Sequence, residues 1–168
     1  MRKIRKSCFL IVIFSVIFLS ANVFAVSETQ SKYIAKNCKR IRETLKGIQR
    51  ADTSSRTDYL PMIYDTMLSD FIIPVNTRLL KNEQENDQLT KNQEDFIKTY
   101  SNFKTDFVTY SRSMEELLAI DCENDPESFY SKLEVVRTDR GYVDLDVQKM
   151  NRLIEKQKQY INKLGESL

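Results

Sequence analysis

The chain has 168 residues, with 26 lysines and arginines against 24 aspartates and glutamates, a formal net charge of +2, and no histidine. The missing histidine excludes a His-based triad, an imidazole metal site and an imidazole pH switch. Three cysteines and three glycines (Gly47, Gly141, Gly165) are too scattered for a zinc framework or a phosphate-cradling loop.

The N-terminal segment reads as a signal peptide over residues 1–25. Arg2, Lys3, Arg5 and Lys6 precede the apolar run Cys8 to Leu19, and Val23-Phe24-Ala25 supplies the small residues of a cleavage site before Val26. The competing reading keeps this stretch as an N-terminal membrane anchor. Cys8 follows Lys6-Ser7 and opens the apolar run, so it does not sit behind that run as a lipid-anchor cysteine would. Past residue 26 no apolar run is long enough to span a bilayer. Of the 26 bases, these four leave with the segment, so 22 face 24 acids and the remainder carries −2. No attraction to nucleic acid is expected. Residues 26–168 suit one domain.

Helical spacing then runs along the chain. Ile34, Cys38, Ile41, Leu45 and Ile48 recur at four and three, and Tyr59, Ile63 and Met67 extend the stripe. Phe96, Tyr100, Phe103, Phe107, Tyr110, Met114 and Leu117 keep the same alternation, as do Val147, Met150, Ile154, Tyr160 or Ile161, and Leu164. Such spacing is the seam of helices packed at shallow angles. Ser27 with Gln30, and Thr90 with Gln93, match a capping box. Asp125-Pro126 reads as an N-cap with proline at the first helical position, and Gly165 as a stop.

Cys38 lies near the start of the first segment and Cys122 just past the end of the second. A disulfide between them fits an antiparallel hairpin that turns near residue 80, where Ile73-Pro74-Val75-Asn76 and Asn82-Glu83 interrupt or kink the helix. The register sets Leu45 near Met114, Ile48 near Tyr110 and Ile63 near Phe96. It also sets the basic block of residues 32–50 beside the acidic block of 115–127. A third segment starts at Pro126, breaks or kinks at Arg140-Gly141, and brings Lys149 to Lys163 beside the acids between Asp65 and Asp95. The expected fold is all-α: an up-down-up bundle of three long helices, kinked into as many as five, with one disulfide staple.

Two clusters are candidate binding residues: Asn76, Arg78 and Asn82 at the expected turn, and Arg137 with Arg140 around Asp139. In each an arginine could grip a carboxylate or phosphate; the competing role is a cap or structural ion pair. No catalytic residue, metal ligand or cofactor site is expected. Core packing accounts for the aromatic stripe better than a ligand cavity. No carboxylate pair stands out for glycoside cleavage.

Asn37-Cys38, Asn76-Thr77-Arg78-Leu79, Asp121-Cys122 and Phe129-Tyr130-x-x-Leu133-x-x-x-Arg137 together resemble uncharacterised secreted helical proteins of candidate-phylum, saccharibacteria-like bacteria. That resemblance implies export and transfers no activity. Leu89-Thr90-Lys91-Asn92-Gln93 is similar to the LTxxQ motif of Spy-type periplasmic chaperones. The expected function is non-catalytic binding of a protein or envelope component at the cell envelope or surface, with a homodimer as a further partner state. A holdase chaperone is the alternative, and a cell-wall hydrolase the second alternative.

Overall fold

A computed structural model describes residues 26–82 and 87–166, all helix, cap or short turn. The signal-peptide segment, and Glu83 and Glu85 of the acidic stretch, lie outside these residues. Three rods run up, down and up. The first comprises α1 (Glu28–Thr53), a π-helical turn (Ser54–Tyr59), α2 (Leu60–Thr66), a second π-helical turn (Met67–Ile72) and α3 (Ile73–Lys81). The second rod is α4 (Asp87–Ala119) and the third α5 (Pro126–Glu166).

Contacts between the rods fix the directions. Cys38 and Cys122 form a disulfide with Cα atoms 5.5 Å apart. Arg42 Nη2 donates to the Leu118 carbonyl at 2.8 Å, and Tyr110 Oη to Asp52 Oδ2 at 2.7 Å. Asn76 Nδ2 donates to the Leu89 carbonyl at 3.1 Å. The midpoints of these pairs fall between residues 80 and 83, as an antiparallel hairpin requires. Ser113 to Asp139 and Asn92 to Leu153 make α5 antiparallel to α4. Arg56 to Asp144 and Tyr64 to Asn151 make it parallel to the first rod.

The helix starts follow local chemistry. Ser27 Oγ accepts from the Gln30 N–H, and Gln30 Oε1 accepts from the Ser27 N–H, closing a capping box. Asp125 Oδ1 accepts from the Ser128 N–H, and Pro126 opens α5 where no N–H is needed. Thr90 and Gln93, by contrast, make no box. They lie inside α4, which starts at Asp87, and Gln93 Oε1 accepts from Asn76 instead.

Both π-helical turns have the same cause. Pro61 and Pro74 are each the second residue after such a turn. Proline lacks an N–H and its ring collides with the carbonyl four residues back. Widening the preceding turn relieves both faults. The N–H just before each proline then reaches five residues back, Leu60 to Ser55 and Ile73 to Leu68. So Ile73-Pro74-Val75-Asn76 does not interrupt the rod; the irregularity falls at 67–72, and helix continues to Lys81. The first and third rods pair at an offset of 88 for Asp52–Arg140 and 81 for Asn76–Gln157. The two extra residues of the π turns account for only part of that slide in register.

The third rod corrects two further expectations. α5 passes through Arg140 and Gly141 unbroken, and through Gly165 to Glu166. One helical glycine costs only about 1 kcal/mol, and the seam around Gly141 outweighs it. Phe129, Val136, Val143, Met150 and Gln157 repeat every seven residues, and none exceeds 3% exposure. That repeat is the mark of a supercoiled seam. In the same core Tyr64 meets Phe96, Tyr100 and Phe103 edge-on, with centroids 6.0–6.2 Å apart.

The charge blocks are adjacent but not paired. Among the described residues no ion pair joins 32–50 to 115–127, or Lys149–Lys163 to the acids between Asp65 and Asp95. Exposed pairs are worth under about 1 kcal/mol, so these side chains stay solvated. Glu116 pairs with Lys132 of α5, and Arg42 caps the carbonyl end of α4.

Candidate functional site

Above the Asp52–Arg140 contact, α1, α4 and α5 line a groove of about 430 Å³. Its apolar lining is Ile41, Leu45 and Ile48 from α1, Met114 from α4, and Leu133 and Val136 from α5. Leu45 is buried, while Ile48 remains 36% exposed. Tyr33, at the upper end, is 57% exposed. The charged residues of the lining are all arginines: Arg40, Arg137 and Arg140.

These three guanidiniums are committed to different degrees. Arg40 Nη2 donates to Tyr33 Oη at 3.1 Å and Asn37 Oδ1 at 3.0 Å, both neutral. Arg137 pairs with its own helix neighbour Glu134 across an exposed i,i+3 contact. Arg140 closes the lower end of the groove, where Nε and Nη2 grip the two Asp52 oxygens at 2.9 and 3.2 Å.

Beneath that end lies a buried polar junction. Asp52 also accepts from Tyr110 and faces Arg56 Nε at 3.5 Å, while Arg56 Nη2 donates to Asp144. Burial works to raise the Asp52 carboxyl, but hydrogen bonds from Arg140 and Tyr110 and the charge of Arg56 outweigh it and hold it below its usual value. Burial and the neighbouring carboxylate push the Tyr110 phenol up; the Asp52 hydrogen bond raises Arg140. Arg56 is 8% exposed and its Nη1 has no protein partner.

The turn-end candidates separate. Asn76 is buried in an amide cluster: its Nδ2 donates to the Leu89 carbonyl and to Gln93, and its Oδ1 accepts from Gln157. Asn92 completes the cluster, donating to Leu153 and Gln157. Arg78 is exposed on α3, and Asn82 caps that helix by donating to the Arg78 carbonyl. These three therefore form no shared surface site, whereas Arg137 and Arg140 do line one groove.

Sequence reading missed the polar residues of the seam. Asp52 lies seven residues after Leu45, Arg56 four after that, and Asn92 three after Leu89. A polar residue in phase with an apolar stripe is the signal that was available. It also missed the Asp106–Asp146 pair. Burial, then the facing Asp106 carboxylate, pushes Asp146 up to about 6, against the opposing charge of Lys149. Neither aspartate lines the groove. Among the described residues no three acidic or thiol side chains converge on a metal position, and no helix is long and apolar enough to cross a membrane.

No protein-family model matches the chain, and neither curated proteins nor solved structures include a match.

Proposed function

We propose that the chain is exported and works outside the cytoplasm as a non-catalytic helical bundle that binds a protein or envelope component in the groove between α1 and α5. The observation that carries this reading is the groove itself: apolar side chains from all three rods, with Ile48 open to solvent, and a charged lining that is entirely cationic. An interaction site combines those two properties, whereas a solvated helix face does not. The intramolecular disulfide supports an oxidising compartment, and the signal-like segment supports export.

The test is capture from envelope extract by three forms of the chain. Ile48→Glu places a charge on the groove floor; Val108→Glu alters an exposed residue of α4 outside the lining. A partner held by the wild type and Val108→Glu but lost by Ile48→Glu supports the reading. Equal recovery by all three, or none by any, sinks it.

A holdase is the second reading, favoured by the exposed apolar side chains Tyr59, Met62, Phe71 and Leu80 along the first rod. Suppression of aggregation of an unfolding client at equimolar ratio distinguishes it from a specific binder.

A further inference from the structure

Resting on the binding reading, we infer that the groove receives an acidic amphipathic helix of a partner protein, which lies along α1 and α5 as a fourth helix of the bundle. Three features converge on that occupant. First, the groove is long and open on one side. From Tyr33 to Ile48 its α1 wall spans 15 residues, about 22 Å at helical rise, or roughly four turns.

Second, the cations flank the apolar floor at both ends. Arg140 is level with Asp52, so Arg137, one turn earlier, is level with residue 49. Arg40 is nine residues above that, about 13 Å along the groove. Ile41, Leu45 and Ile48 occupy the interval. A fatty acid offers one anionic group and would use one end. A helix with an apolar stripe and acidic residues about nine positions apart uses both.

Third, the two arginines are available. Arg40 has only neutral partners, and the exposed Arg137–Glu134 pair is worth a few tenths of a kcal/mol, which a new carboxylate replaces readily. Arg140 stays with Asp52 and marks where the partner helix ends.

The experiment is a selection from a display library of helical peptides about 20 residues long. The apolar stripe is fixed at i, i+3, i+4 and i+7 spacing, and the flanking positions are randomised. The bait is the oxidised chain. The expected result is enrichment of Asp and Glu at flanking positions about nine apart. The double variant Arg40→Glu/Arg137→Glu should weaken the selected peptide about tenfold, and Ile48→Glu should abolish its binding. Enrichment of basic or neutral residues overturns the inference. So does binding indifferent to all three substitutions, displacement of the peptide by palmitate, or a chain that dimerises through Ile48. If a groove-dependent envelope partner is captured but no acidic helix is selected, the inference falls and the binding reading stands. If neither occurs, both fall.

Discussion

Arg140 holds Asp52 through two bonds, Nε to Oδ2 at 2.9 Å and Nη2 to Oδ1 at 3.2 Å, across 88 residues of sequence. The same carboxylate accepts from Tyr110 and faces buried Arg56, so one negative charge serves two guanidiniums and a phenol. Asp52→Asn keeps the shape and deletes that charge. Arg56 keeps Asp144 and the Arg140 side chain is partly exposed, so the loss falls short of that for an isolated buried pair, at about 2 kcal/mol. Urea unfolding followed by far-UV circular dichroism measures it; a loss below about 1 kcal/mol would mean that water already screens the junction.

Acid acts on two aspartates with opposite sign. The Asp146 carboxyl titrates near 6 when folded, above its unfolded value, so its contribution is complete below about pH 4 and is lost as pH rises through about 6. Asp52 is shifted down, so its contribution is complete above about pH 4 and is lost as pH falls through its lowered folded value. Thermal stability should therefore peak near pH 4–5 rather than at neutrality. Asp146→Asn should raise stability at pH 7 by about 1 kcal/mol and flatten the rise between pH 7 and 4. A profile unchanged by that substitution counts against the Asp106–Asp146 contact.

Loss of the disulfide should lower stability by about 4 kcal/mol, since it closes a loop across a separation of 84 residues. The Cys38→Ala/Cys122→Ala variant, compared with the oxidised chain by denaturant titration, should keep its helical circular dichroism and shift its midpoint. An unshifted midpoint would show that the hairpin already fixes the chain ends without the bond.

The amide cluster at the turn end predicts non-additivity. Asn92→Leu strands the Gln157 carboxamide oxygen in the core, at a cost of about 2 kcal/mol. Adding Gln157→Leu removes that oxygen but leaves Asn76 Oδ1 without its donor, so the double variant should lose less than the sum of the two single losses without returning to wild-type stability. Additive losses in a double-mutant cycle would rule out direct coupling between the two side chains.

Gly141→Ala tests the continuity of α5. A methyl group there meets nothing within 4 Å, so alanine should stabilise the helix by about 0.5–1 kcal/mol. Destabilisation would restore the break expected from Arg140-Gly141.

The hairpin register was legible because an apolar stripe and a cysteine pair each report on one dimension of the chain. Cys38 and Cys122 set where the two rods meet, and Phe96 to Leu117 set which face of the second rod is inside. Other features escaped because they depend on what happens across the seam. Asp52, Arg56, Asn92 and Gln157 are polar and so look like surface positions until their partners, far off in sequence, are in place. Pro61 gave no visible break because the backbone absorbed it by widening one turn, with helix on either side. The groove was half legible. Arg137 and Arg140 stand out as a pair, but Arg40 is hidden in a basic block, and no one-dimensional pattern says that three rods line a common groove.

The disulfide also sets a mechanical limit. Residue 28 lies at the pole where Cys38 meets Cys122, and the 41 residues of α5 carry the chain about 60 Å to the opposite pole at residue 166. Tension applied between those two residues passes from α1 into Cys38, across the sulfur bridge, and into α5. Everything between the cysteines is bypassed. Even fully pulled out, only the stretches before Cys38 and after Cys122 lengthen, so the chain becomes a tether with a fixed maximum reach and the folded hairpin carries no load.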